Sequence, residues 1–88
     1  MQAQSRPRAM IIEDNEDIAI IFSEALQAAG FQTTRISDGA RAMEALKRTK
    51  PAVIVLDLHL PHVSGDEILA QIRAEPDLAE TRVVVATA

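Results

Sequence analysis

The 88-residue sequence has no cysteine, no tryptophan and no tyrosine, and only two phenylalanines. Without cysteine the chain can form neither a disulfide framework nor a thiolate metal site, which favours a reducing, cytoplasmic compartment. Apolar runs are also short. None approaches the roughly 18 residues that a membrane-spanning helix requires, so no membrane association is expected. The start of the chain lacks the apolar segment and small-residue cleavage site of a secretory signal peptide.

Positive charge is scarce relative to negative charge. Nine Lys and Arg stand against 13 Asp and Glu, which gives a formal net charge of −4. Because nucleic-acid phosphates are bound by clustered basic side chains, direct binding of nucleic acid is not expected. Hydrophobic residues make up 48% of the chain, enough for a folded core, and the length allows one domain at most. Residues 1–7 are polar, end at a proline and are interpreted as an N-terminal tail.

Short apolar runs alternate with segments of helical periodicity. The predicted strands are 8–12, 31–36, 52–56 and 82–87, and the predicted helices are 15–29, 40–49 and 66–74. This β-α-β-α-β-α-β order with short links predicts an α/β fold, in which a parallel sheet has helices on both faces.

The first predicted helix has signals at both ends. Asp14 or Asn15 can cap its start, and Gly30 follows its last periodic residue, where a left-handed residue is expected. Its predicted inward stripe consists of Ile18, Ile21, Phe22, Ala25, Leu26 and Ala29.

Polar residues that could form a site stand at the ends of the first, third and fourth predicted strands. Glu13 and Asp14 come directly after the first strand, Asp57 follows the third, and Thr87 ends the fourth. The carboxyl ends of parallel strands share one edge of the sheet, where α/β proteins bind ligands, so these side chains are expected to converge. Carboxylates at close range raise one another's pKa and oppose folding unless a cation is bound. Oxygen ligands alone favour a hard divalent ion, and the pattern therefore predicts a Mg²⁺ site.

Each residue of this predicted cluster also has an ordinary structural interpretation. Asp14 could simply cap the first helix, and Glu13 could be a solvated loop acid. Asp57 could start a turn, and Thr87 could be an unremarkable strand residue. Their joint placement at the ends of neighbouring strands favours the functional interpretation.

The sequence resembles the response-regulator receiver domains (CheY-like) of bacterial two-component signalling. The resemblance covers residues 8–88, and it rests on IIEDN at 11–15, VLDLHLP at 55–61, Ser64-Gly65 and ATA at 86–88. It implies a flavodoxin-like sheet of strand order 2-1-3-4-5. It also implies a cytoplasmic signalling module rather than an enzyme, with a sensor histidine kinase or phosphotransfer protein as its partner.

The resemblance further implies a role for each residue of the cluster. Asp57 matches the phosphoacceptor, which receives a phosphoryl group from the phosphohistidine of a kinase. Asp14 and Glu13 match the acids that bind Mg²⁺, together with Asp57 and the backbone carbonyl of His59. Thr87 matches the switch hydroxyl that moves to bind the phosphoryl group.

The end of the sequence departs from the family pattern. The family has a fifth strand that carries a lysine, and two further helices, whereas Lys47 and Lys50 both precede Asp57 here. A truncated receiver domain over residues 8–88 is therefore expected, with its fourth strand as a bare edge. His59 matches a variable position at which family members tune the phosphoryl lifetime, although a solvated loop histidine is the more ordinary interpretation.

Two other functions match parts of the pattern. A receiver-fold domain that is not phosphorylated would self-associate through the exposed strand 82–87, because an apolar edge invites pairing with another chain. A phosphatase of the haloacid-dehalogenase type would need a second Asp two residues after its nucleophile, where this sequence has His59. Of these functions, the sequence favours the phosphoacceptor role.

Overall fold

The predicted strands and helices are all present in the computed structural model, which describes residues 6–61 and 63–86. Their bounds differ from the prediction by at most two residues. In chain order the elements are β1 (Arg8–Ile12), α1 (Glu16–Ala28), β2 (Gln32–Ile36), a 3₁₀ turn (Gly39–Arg41), α2 (Ala42–Thr49), β3 (Val53–Asp57), α3 (Gly65–Ala74), a second 3₁₀ turn (Pro76–Leu78) and β4 (Arg82–Ala86). The first five residues of the predicted tail, and Thr87 at the predicted end of the fourth strand, lie outside the described residues.

The four described strands form one parallel sheet in the order β2-β1-β3-β4. This confirms the α/β, flavodoxin-like prediction. The chain leaves β1 for β2 on one side and returns to β3 on the other side, so the winding direction reverses between β1 and β3. A crevice opens at such a reversal, outside the carboxyl ends of the two strands. The acidic residues at 13, 14 and 57 stand at these ends.

The side chains of the strands alternate between two faces of unequal cover. The face under α2 and α3 carries the main core, whose buried members are Met10, Ile12, Ala42, Ala45, Leu46, Ile54, Leu56, Leu60, Ile68, Ile72 and Leu78. The face under α1 carries a smaller cluster, in which Ile11, Ala19 and Val55 are buried and Phe22, Leu26 and Ala86 are partly buried. None of the helices in the described ranges is long and apolar enough to cross a membrane.

The caps of α1 agree with the prediction, whereas its inward stripe does not. The Asn15 side chain accepts a hydrogen bond from the Ile18 N–H at 3.0 Å, and Gly30 has a φ of 99°. Ile21, predicted to point inward, is 66% exposed, and Ala19 is buried in its place. The predicted Ala25 and Ala29 are also exposed. The stripe was ambiguous because residues 18–22 are all apolar, so more than one helical face satisfied the periodicity.

The two lysines lie near the amino end of the sheet, opposite the carboxyl end that carries the acids. Lys47 forms an ion pair with Glu75 at 3.5 Å, and Lys50 lies 4.0 Å from Asp77. Both lysines stand at the end of α2 that leads into the amino end of β3. Neither lysine therefore lies at the acidic site.

Candidate functional site

The structure brings three of the predicted site residues together at the carboxyl end of the sheet. Glu13, Asp14 and Asp57 each offer a carboxylate oxygen, and the three oxygens lie within 4.8 Å of one another. The arrangement follows from the pairing of β1 with β3, in which Ile12 stands opposite Leu56. The next residue on each strand is then an acid. Thr87, the fourth predicted member, lies outside the described residues.

Glu13 is the most enclosed carboxylate of the cluster, with 4% of its surface exposed. Burial raises the pKa of Glu13, because the charged form loses hydration, and the neighbouring Asp57 and Asp14 raise it further by repulsion. The N–H of Asn15, which donates to Glu13 Oε2 at 3.1 Å, opposes this rise. The site therefore holds more negative charge than its surroundings readily stabilise, which is the condition that a bound cation relieves.

Asp57 is nearly as buried, with 7% of its surface exposed, and a main-chain donor fixes its carboxylate. The His59 N–H donates to Asp57 Oδ1 at 2.9 Å, which closes a turn of the Asx type. The ordinary structural interpretation of Asp57 as a turn residue is thus correct, and it coexists with the clustering of acids. His59 itself is exposed and lines the same cleft as the acids.

The three acids border an open cleft of about 370 Å³. Asn15 and His59 complete its polar end, and Ile18, Phe22 and Ala86 form its apolar wall. The donor set consists of carboxylate oxygens, which Mg²⁺ prefers, and two of the three acids are buried. The residues present therefore fit a hard divalent cation with room for a phosphate-sized group beside it.

Gly65 allows the start of α3 to pack against the chain that follows Asp57. A Cβ at this position would stand 2.6 Å from the Asp57 carbonyl oxygen and would overlap Leu58 Cα. Ser64 caps the helix by accepting a hydrogen bond from the Asp66 N–H at 3.1 Å. The sequence singled out Ser64-Gly65 through the resemblance alone, and close backbone approach is the physical reason for the glycine.

Arg35 is a site residue that the sequence analysis missed. Its Nε donates to the Glu13 carbonyl oxygen at 3.0 Å, and its Nη2 donates to the Asp14 carbonyl oxygen at 2.8 Å. Arg35 lies on β2, where it stands opposite Ile11 in the neighbouring strand. Only the register of β1 against β2 reveals this contact, and one arginine among the polar residues of a strand gave no such signal.

Residues 9–88 match the family model of the response regulator receiver domain. The chain is 33% identical over 79 residues to the polar-differentiation response regulator DivK of Brucella anthropi, an alignment that covers 90% of this chain and 64% of DivK. The chain thus spans less than two thirds of the length of the curated relatives that it matches.

Solved structures of similar fold include two response regulators that are each about 30% identical to this chain in sequence. One is the phosphorylated cyanobacterial phytochrome response regulator RcpA, which is 30% identical with a TM-score of 0.85 over 94% of this chain and 66% of that chain. The other is the Mn²⁺-bound form of response regulator Rcp1, which is 31% identical with a TM-score of 0.81 over 92% of this chain and 65% of that chain. On the strength of the family match and these likenesses, the chain belongs to the response regulator receiver domain family.

Proposed function

We propose that this chain is a cytoplasmic phosphoacceptor module, in which Asp57 takes a phosphoryl group from the phosphohistidine of a sensor histidine kinase or a phosphotransfer protein. The observation that carries the proposal is the meeting of three carboxylates within 4.8 Å at the carboxyl end of the sheet. Two of them, Glu13 and Asp57, are buried, so their mutual repulsion has a real cost unless a cation is bound. Membership of the receiver family supports the same assignment.

Glu13, Asp14, Asp57 and the backbone carbonyl of His59 are the proposed ligands of a Mg²⁺ ion. When bound, the ion supplies the positive charge that neutralises the acids and the oxygens of a transferring phosphoryl group. The Mn²⁺-bound form of Rcp1 supports a divalent cation in this family.

Asp57 acts as the nucleophile in this proposal. One of its carboxylate oxygens forms a bond to phosphorus while the bond from phosphorus to the histidine nitrogen breaks, and the imidazole leaves with the bonding electron pair. The His59 N–H, 2.9 Å from Asp57 Oδ1, holds the carboxylate in one orientation and so reduces the cost of alignment. The phosphorylated state of RcpA supports phosphorylation of a receiver of this fold.

Thr87 is proposed as the hydroxyl that binds the phosphoryl group and reports the modified state, on the resemblance alone. A phosphoryl group adds nearly two negative charges and new acceptor oxygens, which is enough to reorganise a neighbouring loop. The chain acts on its own aspartate rather than on a released substrate, so it would assist its phosphorylation and dephosphorylation without being a turnover enzyme.

Incubation with acetyl phosphate and MgCl₂, followed by intact-mass measurement, tests this function. We expect a species heavier by about 80 Da that disappears in EDTA and in Asp57→Asn. Asp17→Asn, which removes an exposed acid from the first turn of α1, is the matched control and should be phosphorylated like the wild type. Absence of the adduct, or its persistence in Asp57→Asn, would contradict the proposal.

A second candidate function is self-association through β4. Val84 is 50% exposed and Val85 is 41% exposed, and β4 is an edge strand of the sheet that the structure describes. Sedimentation velocity across a range of concentrations tests it. Association that is lost in Val85→Lys is the expected result, because a charge on an edge strand opposes pairing. A monomer at all concentrations would contradict this second candidate.

A further inference from the structure

The guanidinium of Arg35 bonds to the main chain of both acids that follow β1. The two hydrogen bonds, at 3.0 Å to the Glu13 carbonyl and at 2.8 Å to the Asp14 carbonyl, come from different nitrogens of one planar group. A planar group that binds two successive carbonyls fixes the orientation of the peptide between them. The side chains of Glu13 and Asp14 leave the main chain on either side of that peptide.

We propose that Arg35 is a positioning residue for the divalent-cation site, holding the main chain at Glu13–Asp14 so that both carboxylates face Asp57. The inference rests on the proposed function, since it assumes that the acidic cluster binds the cation. It goes beyond that function because it assigns a role to a residue that binds neither the cation nor the phosphoryl group.

The surroundings of Arg35 support a structural rather than an ion-pairing role. Among the described residues, no Asp or Glu carboxylate lies within 4.0 Å of the Arg35 guanidinium. The ion pairs of the described structure are formed by Lys47 and Lys50 instead. The hydrogen-bond donors of Arg35 are instead directed at the two carbonyl oxygens. The Arg35 side chain lines a shallow surface pocket together with Glu16, Ala19 and Ile20 of α1.

Asp14 depends on Arg35 more than Glu13 does. The Glu13 N–H donates to the Ile36 carbonyl at 3.1 Å, and the Glu13 carboxylate accepts from the Asn15 N–H. Asp14, by contrast, is exposed. In the described part of the chain, its carbonyl oxygen accepts one hydrogen bond, which comes from Arg35 Nη2. Loss of Arg35 should therefore release Asp14 first and leave Glu13 largely in place.

Geometry and charge predict opposite effects of removing Arg35, which makes the inference testable. As a positive charge beside the site, Arg35 repels a divalent cation, so loss of charge alone would tighten cation binding. As a positioning group, Arg35 keeps two ligands in place, so its loss would weaken binding. Lysine separates the two effects, since it keeps the charge but lacks the planar pair of donors.

The experiment compares Arg35→Lys and Arg35→Met with the wild type by calorimetric titration with Mg²⁺. Arg82→Met is the matched control, because Arg82 is also an exposed arginine on an edge strand of the described sheet but stands at the amino end of β4, away from the acids. We expect both Arg35 variants to raise the Mg²⁺ dissociation constant about tenfold, the low end of the effect of groups that orient metal ligands. Arg82→Met should bind as the wild type does.

A second readout separates positioning from general loss of structure. The rate of phosphorylation by acetyl phosphate is measured as Mg²⁺ is varied. In both Arg35 variants the half-saturating Mg²⁺ concentration should rise by the same factor as the dissociation constant, while the rate at saturating Mg²⁺ stays near the wild-type rate. Unfolding in EDTA, followed by circular dichroism, shows whether each variant is folded. Because Arg35 is exposed on an edge strand, both are expected to be folded.

Three results would overturn the inference while leaving the proposed function intact. They are wild-type Mg²⁺ affinity in both Arg35 variants, tighter binding in Arg35→Met, and full affinity in Arg35→Lys alone, which would show that the planar pair of donors is not needed. A wild-type protein that binds no Mg²⁺ would instead overturn the proposed function, and the inference with it.

Discussion

The two faces of the sheet differ in how completely they are covered. Among the described residues, the core cluster under α2 and α3 has eleven buried apolar members and the cluster under α1 has three, with Phe22 and Leu26 only partly enclosed. The candidate site belongs to the less covered side, because its apolar wall is built from Ile18, Phe22 and Ala86. One face therefore supplies most of the stability, whereas the other leaves room for a cleft and its ligands.

The largest expected effect comes from matched leucine truncations on the two faces. Leu46→Ala, in α2, removes a fully buried side chain and should lower the free energy of unfolding by about 3 kcal/mol. Leu26→Ala, in α1, removes a half-buried one and should cost about 1 kcal/mol. Urea unfolding followed by circular dichroism measures both, since the chain has no Trp or Tyr for intrinsic fluorescence. Equal losses would break the comparison between the faces.

The next effect concerns the packing of α3 against the site. Gly65→Ala should lower the free energy of unfolding by about 2 kcal/mol, because its Cβ would meet main-chain atoms that cannot rotate away. Gly30→Ala is the control. It has open space around its Cβ and a φ of 99°, so it should cost only about 1 kcal/mol, from the left-handed backbone. The same urea unfolding measures both variants, and a larger loss in Gly30→Ala would contradict the packing argument.

A smaller effect concerns the dependence of stability on pH. The pKa of Glu13 is raised in the folded state, so between the usual glutamate pKa of 4.5 and the raised pKa the folded protein retains a proton that the unfolded chain has released. The contribution of Glu13 to the free energy of unfolding therefore falls as pH rises through this window, and it remains low above it. Glu13→Gln removes this contribution.

Urea unfolding in EDTA at a series of pH values checks the sign of that effect. Relative to the wild type, Glu13→Gln should gain stability as pH rises through the window. Excess Mg²⁺ at neutral pH should reverse the difference, because the ion stabilises the wild-type cluster by binding its folded form. A stability difference that is independent of pH would show that repulsion and burial at Glu13 do not matter.

The smallest expected effect tests the corrected stripe of α1. Ile21 is 66% exposed, so Ile21→Gln should change the free energy of unfolding by less than about 0.5 kcal/mol. The periodicity of the sequence had placed this residue inward, where such a change would cost several times more. A loss comparable to that of Leu26→Ala would favour the original stripe over the observed one.

The sequence predicted those features that depend on short-range signals or on strand order. The apolar runs and caps located every described strand and helix. The parallel order then brought Glu13, Asp14 and Asp57 to one edge, where the structure has them together. The sequence left Asp14 and Asn15 both open as the helix cap, and the structure has Asn15 in that role.

Features that depend on register or on tight packing could not be predicted. Arg35 reaches two carbonyls only because of how β2 aligns with β1, which periodicity does not specify. Lys50 adopts a left-handed φ of 49° at the end of α2, a conformation that the presence of a lysine does not predict. The inward face of α1 depended on packing against the sheet, because its apolar residues satisfied more than one stripe.

The most direct test of the central claim is a Mg²⁺ titration followed by amide ¹H–¹⁵N NMR. The N–H of Asn15 donates to Glu13 Oε2 and the N–H of His59 donates to Asp57 Oδ1, so these two amides report the state of the proposed ligands. We predict saturable shifts at Asn15 and His59, with no shift at Ala52 and Arg82 at the opposite end of the sheet. An absence of shifts at Asn15 and His59, or uniform shifts at all four, would contradict the account.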